Sequence, residues 1–469
     1  MKSRWLLSLV ALSLVIAACG GNGGATTTTA APEETTTTGG GDTTTTTTGS
    51  GEIEYDVGVT PAPCEDAVND GNGCIYLGII SDLTTGPFAA LGVPLTAAQR
   101  HFWNQVNADG GLDGFDVIIR DDDVIDAHYT PEDTAAGYET IRGRVLALAQ
   151  SLGTPQTQSI IDRMEEDNVV AAPATWWSGW NFPEEENGLI LESGASYCIE
   201  AMNGMSFMST VMPEGFTWAL VRFPGDYGGD YGAGALIAAS MLGLGDPLFD
   251  LQLVPISAGG AVTEAVGRIV AEKPDLIVLV SGPVEMAQIA AGTFQGGHTE
   301  FQILGASPTW NVALKANADL MPLLEGVYKG TTPWGGWTTD TPGHAAMRAS
   351  AEENWFDPNS EPPRGPNGAY SAGWTWQYPI KALLEAAIAS GDLTRANVAS
   401  IAKSLDGVDY QGILPTRNYS GTANDNAVRT TFINKADSAS EDGLSPISDG
   451  AYTADIVADF DYQGPCFTG

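Results

Sequence analysis

From Cys74 onward the chain alternates short apolar runs with amphipathic stretches, and this alternation restricts the possible folds more than any other feature. The runs include "IYLGII", "DVIIRDD", "RVLALAQ", "NVVAAPA", "GLILES", "TWALVRF", "LQLVPI", "DLIVLV" and "FQILGA". Between them lie helical patterns such as "PLTAAQRHFWNQVNADGG" and "GGAVTEAVGRIVAEKP". Strand, helix, strand at this cadence means a parallel sheet with covering helices, because parallel neighbours need a long crossover. The alternation lasts about 250 residues, too many for one small sheet, so an α/β fold of two Rossmann-like lobes with parallel sheets is predicted. After "GVYKGTTPW" the pattern turns helical, with "GAYSAGWTWQYPIKALLEAAIASG" as the longest candidate. No repeat at a solenoid period is present.

The N-terminus reads as a targeting segment. Lys2 and Arg4 precede "WLLSLVALSLVIAA", an apolar run too short to span a bilayer comfortably. Ile16-Ala17-Ala18-Cys19 then resembles a bacterial lipobox, which makes residues 1–18 a lipoprotein signal peptide and the Cys19 thiol the lipid-bearing atom. Residues 19–62 are dominated by threonine and glycine. Such a segment cannot bury enough apolar surface to fold, so it reads as a disordered tether. A coil of ~40 residues reaches roughly 35 Å, enough to lift a domain off a membrane while holding it near. No later run is long enough for a spanning helix. The expected location is therefore the extracellular face of the cell membrane, with a lipid anchor as the sole membrane contact.

A formal net charge of −38 excludes nucleic acid as a partner, since phosphate contacts need clustered Lys and Arg. It also excludes charge-driven binding to anionic lipid. Of the five cysteines, four follow Cys19. An even number in an exported chain reads as disulfides, with three possible pairings. Cys64–Cys74 is favoured because "CEDAVNDGNGC" closes a short turn-rich loop, leaving Cys198–Cys466 to staple the C-terminal tail.

Signatures of catalysis are missing: no GxSxG, HExxH, Walker A or GxGxxG pattern occurs. The four histidines, His101, His128, His298 and His344, are scattered. Ser400-Ile-Ala-Lys403 matches SxxK without its partner motifs, and Asp121-Asp122-Asp123 lacks the glycine of a calcium loop and reads as a solvated turn. Neither an enzyme nor a metal nor a cofactor is expected. The stretch "SLGTPQTQS", Ser151 to Ser159, stands out instead. It sits where an apolar strand hands over to a helix, the place where ligands bind in open α/β sheets. Gly153 lets a backbone come close, and Thr154 and Thr157 offer hydroxyls. Two readings stay open: a carboxylate site, or helix caps that serve only the helix.

The order of motifs resembles type I periplasmic binding proteins of the leucine/isoleucine/valine-binding family. The opening "IYLGIISDLTTGPFAALGVPLTAAQRHFWNQVNADGGLDGFDVIIRDDD" is similar in Thr85-Gly86-Pro87, Gly92, Asn107, Gly110-Gly111 and Gly114. "SLGTPQTQSIIDRMEEDNVVAAPAT", "GDYGGDYGAGALIAA" and "SGPVEMAQIAAGTFQGG" fit the later segments. The resemblance implies two lobes joined by a multi-strand hinge that close on a small ligand and deliver it to ABC permease subunits. It assigns residues 75–195 and 332–408 to lobe 1, and 196–331 and 409–469 to lobe 2. It implies carboxylate contacts at Thr154, Ala174 and Thr175, with Gly153, Thr85 and Trp176 beside them. Tyr231 is the implied aromatic contact from the opposing lobe, with Tyr227 as a rival because "GDYG" occurs twice. Glu285 is placed to hold a cation at the mouth.

One position departs from the pattern. Amino-acid binders of this family place an acid after the strand read here as "FQILG", and this chain has Ala306-Ser307. A buried ammonium without a carboxylate is costly. Either Glu285, Asp226 or Asp230 substitutes, or the ligand is not an α-amino acid. Trp176, Trp177, Trp310, Trp334 and Trp337 fall after strands or crossings, and flat rings suit apolar, aromatic or cationic ligands. The expected function is substrate binding for an ABC importer, by a monomer, of a small carboxylate-bearing solute: a branched-chain amino acid, an amide or an aromatic acid. A ligand-sensing surface receptor of the same fold and a secreted Rossmann-like enzyme are the alternatives.

Overall fold

Nine consecutive buried residues, Gly73–Ser81, form the strand around which the first sheet is built. The computed structural model describes residues 53–182, 188–447 and 451–468. The expected signal peptide, Cys19 and most of the tether lie outside the described residues. In chain order the first strands are β1 (Glu54–Tyr55), β2 (Val59–Thr60), β3 (Gly73–Ser81), β4 (Phe115–Ile118), β5 (Val124–Asp126), β6 (Ala147–Leu152) and β7 (Ala171–Ala174). β3 runs parallel to β4, β5 and β6, and β6 runs parallel to β7. β3, β6 and β7 are buried at every position, which is why they read as unbroken apolar runs. "GLILES", expected as a strand, contributes only an isolated bridge between Ile190 and Ala171.

The second sheet takes β8 (Trp218–Arg222), β9 (Asp250–Gln252), β10 (Leu276–Val280), β11 (Gln302–Gly305) and β12 (Tyr328–Thr332), all parallel. A helical stretch follows, and within it β13 (Asp392–Leu393) pairs with β1. The chain then returns to add β14 (Phe432–Ala436) and β15 (Leu444–Pro446), in the order β15-β14-β12-β11-β10-β8-β9. The expectation of parallel sheets is corrected at the edges. β14 is antiparallel to β12, β15 to β14, and β2 to β3. The last two strands of the second sheet form a hairpin, whose arms must run in opposite directions.

The returning helices belong to the first sheet. Helix Gly368–Thr375 meets helix Ala89–Ala108 so closely that a Cβ on Gly373 would lie 2.3 Å from the Leu95 carbonyl oxygen. Gln377 fixes the next helix, Gln377–Ser390: it accepts from Trp103 Nε1 at 2.8 Å and donates to the Ala149 carbonyl at 3.1 Å. The chain thus passes between the sheets after β7, after β12 and again before β14. Both disulfides are formed, Cys64–Cys74 and Cys198–Cys466. The second ties the C-terminal segment to helix Tyr197–Val211.

Candidate functional site

β6 and β7 end in register, Leu152 opposite Ala174, so the residues that follow lie side by side at the carboxyl edge of the first sheet. Gly153 takes φ 92°, a conformation open to glycine, and turns the chain into the short helix Thr154–Gln158. On the facing sheet, Ser307 follows β11 and Thr332 ends β12. Between these two edges lies a cavity of about 920 Å³, counting the space open to solvent, lined by residues of both sheets. Ligands in open α/β sheets bind beyond the carboxyl ends of strands, and here two such edges face one another.

Its walls are mostly hydrocarbon. Trp176 stands at the centre of an aromatic group, with ring centroids 5.3 Å from Trp334, 5.1 Å from Trp376 and 5.7 Å from Tyr197. Phe88, from the first sheet's side, touches Tyr227 from the second at 5.9 Å. Leu91, Leu95, Leu152, Val312, Ala372 and Leu444 complete the apolar surface. The polar lining is sparse. Asn311 donates to the Ala90 carbonyl at 3.1 Å, and Asn434 donates to Thr332 Oγ1 at 3.1 Å while its own Oδ1 is buried without a partner among the described residues. Asp442 is the one carboxylate in the lining, and no Lys, Arg or His lines the cavity among the described residues. Burial pushes the Asp442 carboxyl above its usual range, although Ser440 Oγ and the Leu444 amide donate to it at 3.1 and 3.3 Å.

The residues singled out from sequence divide. Gly153, Ala174 and Trp176 line the cavity, as do Tyr227, Trp310 and Trp334. The Thr154 and Thr175 hydroxyls are buried and bonded to each other, outside the lining. Thr157 is likewise satisfied locally: it donates to the Gly153 carbonyl at 2.8 Å and pairs with Ser151 Oγ at 2.7 Å. The hydroxyls of "SLGTPQTQS" therefore hold the turn that presents Gly153. Tyr231 is wholly buried, its OH 3.1 Å from Thr331 Oγ1. Glu285 accepts from the Ile256 amide at 2.8 Å, and Thr85 is exposed; neither lines the cavity. Asp226 opens helix Asp226–Leu242, while Asp230 accepts from the Ser178 and Cys198 amides at 3.0 and 3.1 Å. Trp177 packs on Trp180 at 5.1 Å and Trp337 on Phe356 at 6.1 Å. Asp121–Asp123 forms ion pairs with Arg100, Arg120 and Arg144.

The Ala306-Ser307 loop does have an acid behind it, contributed by a different element. Glu200, on helix Tyr197–Val211, accepts from the Ser307 amide at 2.7 Å, Ser307 Oγ at 3.2 Å and Thr331 Oγ1 at 2.7 Å. It is fully buried and lies outside the lining. Desolvation outweighs those three hydrogen bonds and pushes its carboxyl up to about 8. Glu200 thus positions Ser307 and the loop carrying it.

Sequence reasoning missed Phe88 just before the first helix, Leu91 and Leu95 on it, Ala372 on a returning helix, Trp376 at the junction of the two returning helices, and Asp442 in the β14–β15 hairpin. Their apolar members carry the same signature as core residues. Asp442 falls in "ADSASEDGLS", which reads as an ordinary acidic turn. Among the described residues, no group of His, Cys, Asp and Glu is placed to hold a metal ion, and no helix is long and apolar enough to cross a membrane.

A family profile described as periplasmic binding protein matches residues 75–441. Among solved structures, the chain is similar to a fatty acid ABC transporter substrate-binding protein from Thermomonospora curvata. Identity is 25%, coverage 88% of this chain and 97% of the other, and the TM-score 0.73. An ABC transporter substrate-binding protein from Aeropyrum pernix shares 20% identity over 84% and 97% of the two chains, at TM-score 0.66. A branched chain amino acid ABC transporter from Thermus thermophilus with bound valine shares 17% over 82% and 98%, at 0.67. Comparison with curated proteins finds no match. With a bilobed α/β fold, a cavity between facing sheet edges and a profile match over most of its length, the chain belongs to the periplasmic binding protein family.

Proposed function

We propose that this protein is the substrate-binding lipoprotein of an ABC importer, held outside the cell membrane through Cys19, and that its solute is a carboxylic acid with a large hydrocarbon body. Lobe 1 would comprise residues 75–195 and 332–408, and lobe 2 residues 196–331 and 409–469, closing as a monomer and handing the solute to permease subunits. The lining of the cavity carries this reading: tryptophans, leucines and tyrosines from both sheets, with one carboxylate and no basic side chain among the described residues. A zwitterion there would desolvate an ammonium and a carboxylate, the latter without a cation, a heavy cost in an apolar site, whereas a monocarboxylic acid can enter protonated and neutral. A branched-chain amino acid is accordingly disfavoured relative to an aromatic acid, an amide or a fatty acid. The fatty acid named for the Thermomonospora curvata relative supports the same direction. Asn434 Oδ1, buried without a partner among the described residues, and Asp442 are acceptors, and they suit the O–H of a protonated acid rather than a carboxylate.

The test is calorimetric titration of the purified protein with straight-chain acids from hexanoate to decanoate, with an aromatic acid and with leucine. A buried methylene contributes about 0.8 kcal/mol, so affinity should tighten by about fourfold per added carbon until the cavity is full. Leucine should bind at least about 100-fold more weakly than the best acid, since its ammonium and carboxylate are both desolvated. Tight leucine binding with no response to chain length would refute the proposed solute class.

A further inference from the structure

We propose that a second cavity, on the segments linking the two sheets, binds a small oxyanion. It is about 680 Å³ with its open space, and it is separate from the cleft: no residue lines both. Trp180 and Asn181 come from the turn Ser178–Asn181 on the way out of the first sheet. Arg417 and Asn426 come from the segment returning to the second sheet, and Lys403 from the end of helix Arg395–Ala402.

Four buried side-chain nitrogens of the lining share one character. Trp180 Nε1, Arg417 Nε, Arg417 Nη1 and Asn426 Nδ2 have no hydrogen-bond partner among the described residues. All four are donors, and the carboxylate beside them, Glu192, meets Arg417 Nη2 at 3.8 Å and accepts from Asn181 Nδ2 at 3.4 Å. Buried polar groups are normally paired, and an unpaired guanidinium is the costliest to leave so. Arg417 is 4% exposed and firmly placed. Its Nη2 donates to Asn181 Oδ1 at 3.2 Å and lies 3.8 Å from Glu192 Oε2, and its guanidinium carbon sits 4.9 Å from the Tyr419 ring centroid. Those contacts occupy one guanidinium nitrogen and leave two. Among the described residues, Glu192 is the carboxylate paired with Arg417, on the Nη2 side. A water molecule would bring donors of its own that need acceptors. A carboxylate, sulfate or phosphate brings acceptors alone, which is what four orphan N–H groups require. Guanidinium also suits planar and tetrahedral oxyanions better than an ammonium does. An oxyanion seated here would join the outgoing segment at Trp180 to the returning segment at Arg417 and Asn426.

The experiment uses the full chain and three probes at matched ionic strength: sodium sulfate, sodium phosphate and sodium chloride. The thermal unfolding midpoint should rise saturably with sulfate or phosphate and not with chloride, since an anion that binds only the folded state stabilises it by mass action. Arg417→Gln should raise the half-saturating concentration at least tenfold. Trp180→Phe, which keeps the ring and deletes one donor, should raise it about threefold, and it serves if the arginine variant fails to fold. Crystals soaked in selenate should show its anomalous signal within hydrogen-bond distance of Arg417. A rise that never saturates, or that is equal in wild type and Trp180→Phe, would overturn the site. So would density showing only water, or a carboxylate of the chain itself, against Arg417 Nε and Nη1.

Discussion

Replacing Cys198 and Cys466 together by alanine is expected to destabilise this protein by roughly 5 kcal/mol, against about 2.7 kcal/mol for the Cys64/Cys74 pair. The difference follows from loop length: the first bridge closes 268 residues and the second 10. In the chain-entropy account a longer loop removes more freedom from the unfolded chain. The long bridge also secures contacts that depend on the C-terminal segment. The Cys466 amide donates to Ser178 Oγ at 2.8 Å, Trp177 Nε1 to the Phe467 carbonyl at 2.8 Å, and Tyr462 OH is bonded to Ser196 Oγ at 2.8 Å. Ser178 and Ser196 lie on the segment leading from the first sheet to the second, so freeing the tail should loosen that passage as well. Urea unfolding of the two double variants without reductant is the check. Equal losses would mean that the C-terminal segment is not held as described.

Glu200→Gln should make the protein less sensitive to pH between about 4.5 and 8. A carboxyl whose folded pKa is raised binds a proton more readily in the folded state than in the unfolded one. It therefore contributes stability that is fully present below its unfolded pKa and lost as pH rises through its folded value. With the Glu200 carboxyl pushed up to about 8 by burial, that loss runs at up to about 1.4 kcal/mol per pH unit across the window. The phenols around it, Tyr227, Tyr231 and Tyr328, are themselves pushed up by burial and stay neutral throughout. Glutamine keeps an acceptor for the Ser307 amide and removes the titration. The stability of the variant relative to wild type, measured by urea unfolding at pH 5, 6, 7 and 8, should climb by a few kcal/mol. A difference that does not change with pH would show that Glu200 is not the group responsible.

The strands were legible in the sequence where burial on both faces leaves no choice of residue. "IYLGII" lies inside β3, and "DLIVLV" covers all of β10. The edge was not, because an edge strand faces solvent and reads as loop: β15, which ends the second sheet, is "LSP", with no buried residue. "GAYSAGWTWQYPIKALLEAAIASG" was legible as helix but not as two helices meeting at Trp376. The cleft divides on the same principle. Gly153 and Ala174 follow from strand ends facing a turn, whereas Leu91, Leu95 and Trp376 line the cavity from helix faces that look like any core-facing face. A site walled by hydrocarbon has no distinctive pattern, and only the gap between the sheets separates its lining from the core. The threonines differ from both groups. Thr154 and Thr175 have the chemistry of ligand contacts, but each satisfies the other.

The central claim is that the cleft holds a small, mainly apolar acid between its two sheets. Native mass spectrometry of the protein purified from cells grown on mixed carbon sources addresses it most directly. The account predicts a stoichiometric adduct that fragments to a carboxylic acid with a long aliphatic or aromatic body and is lost on extraction with organic solvent. A stoichiometric adduct that proves to be a polar amino acid or a sugar would contradict it.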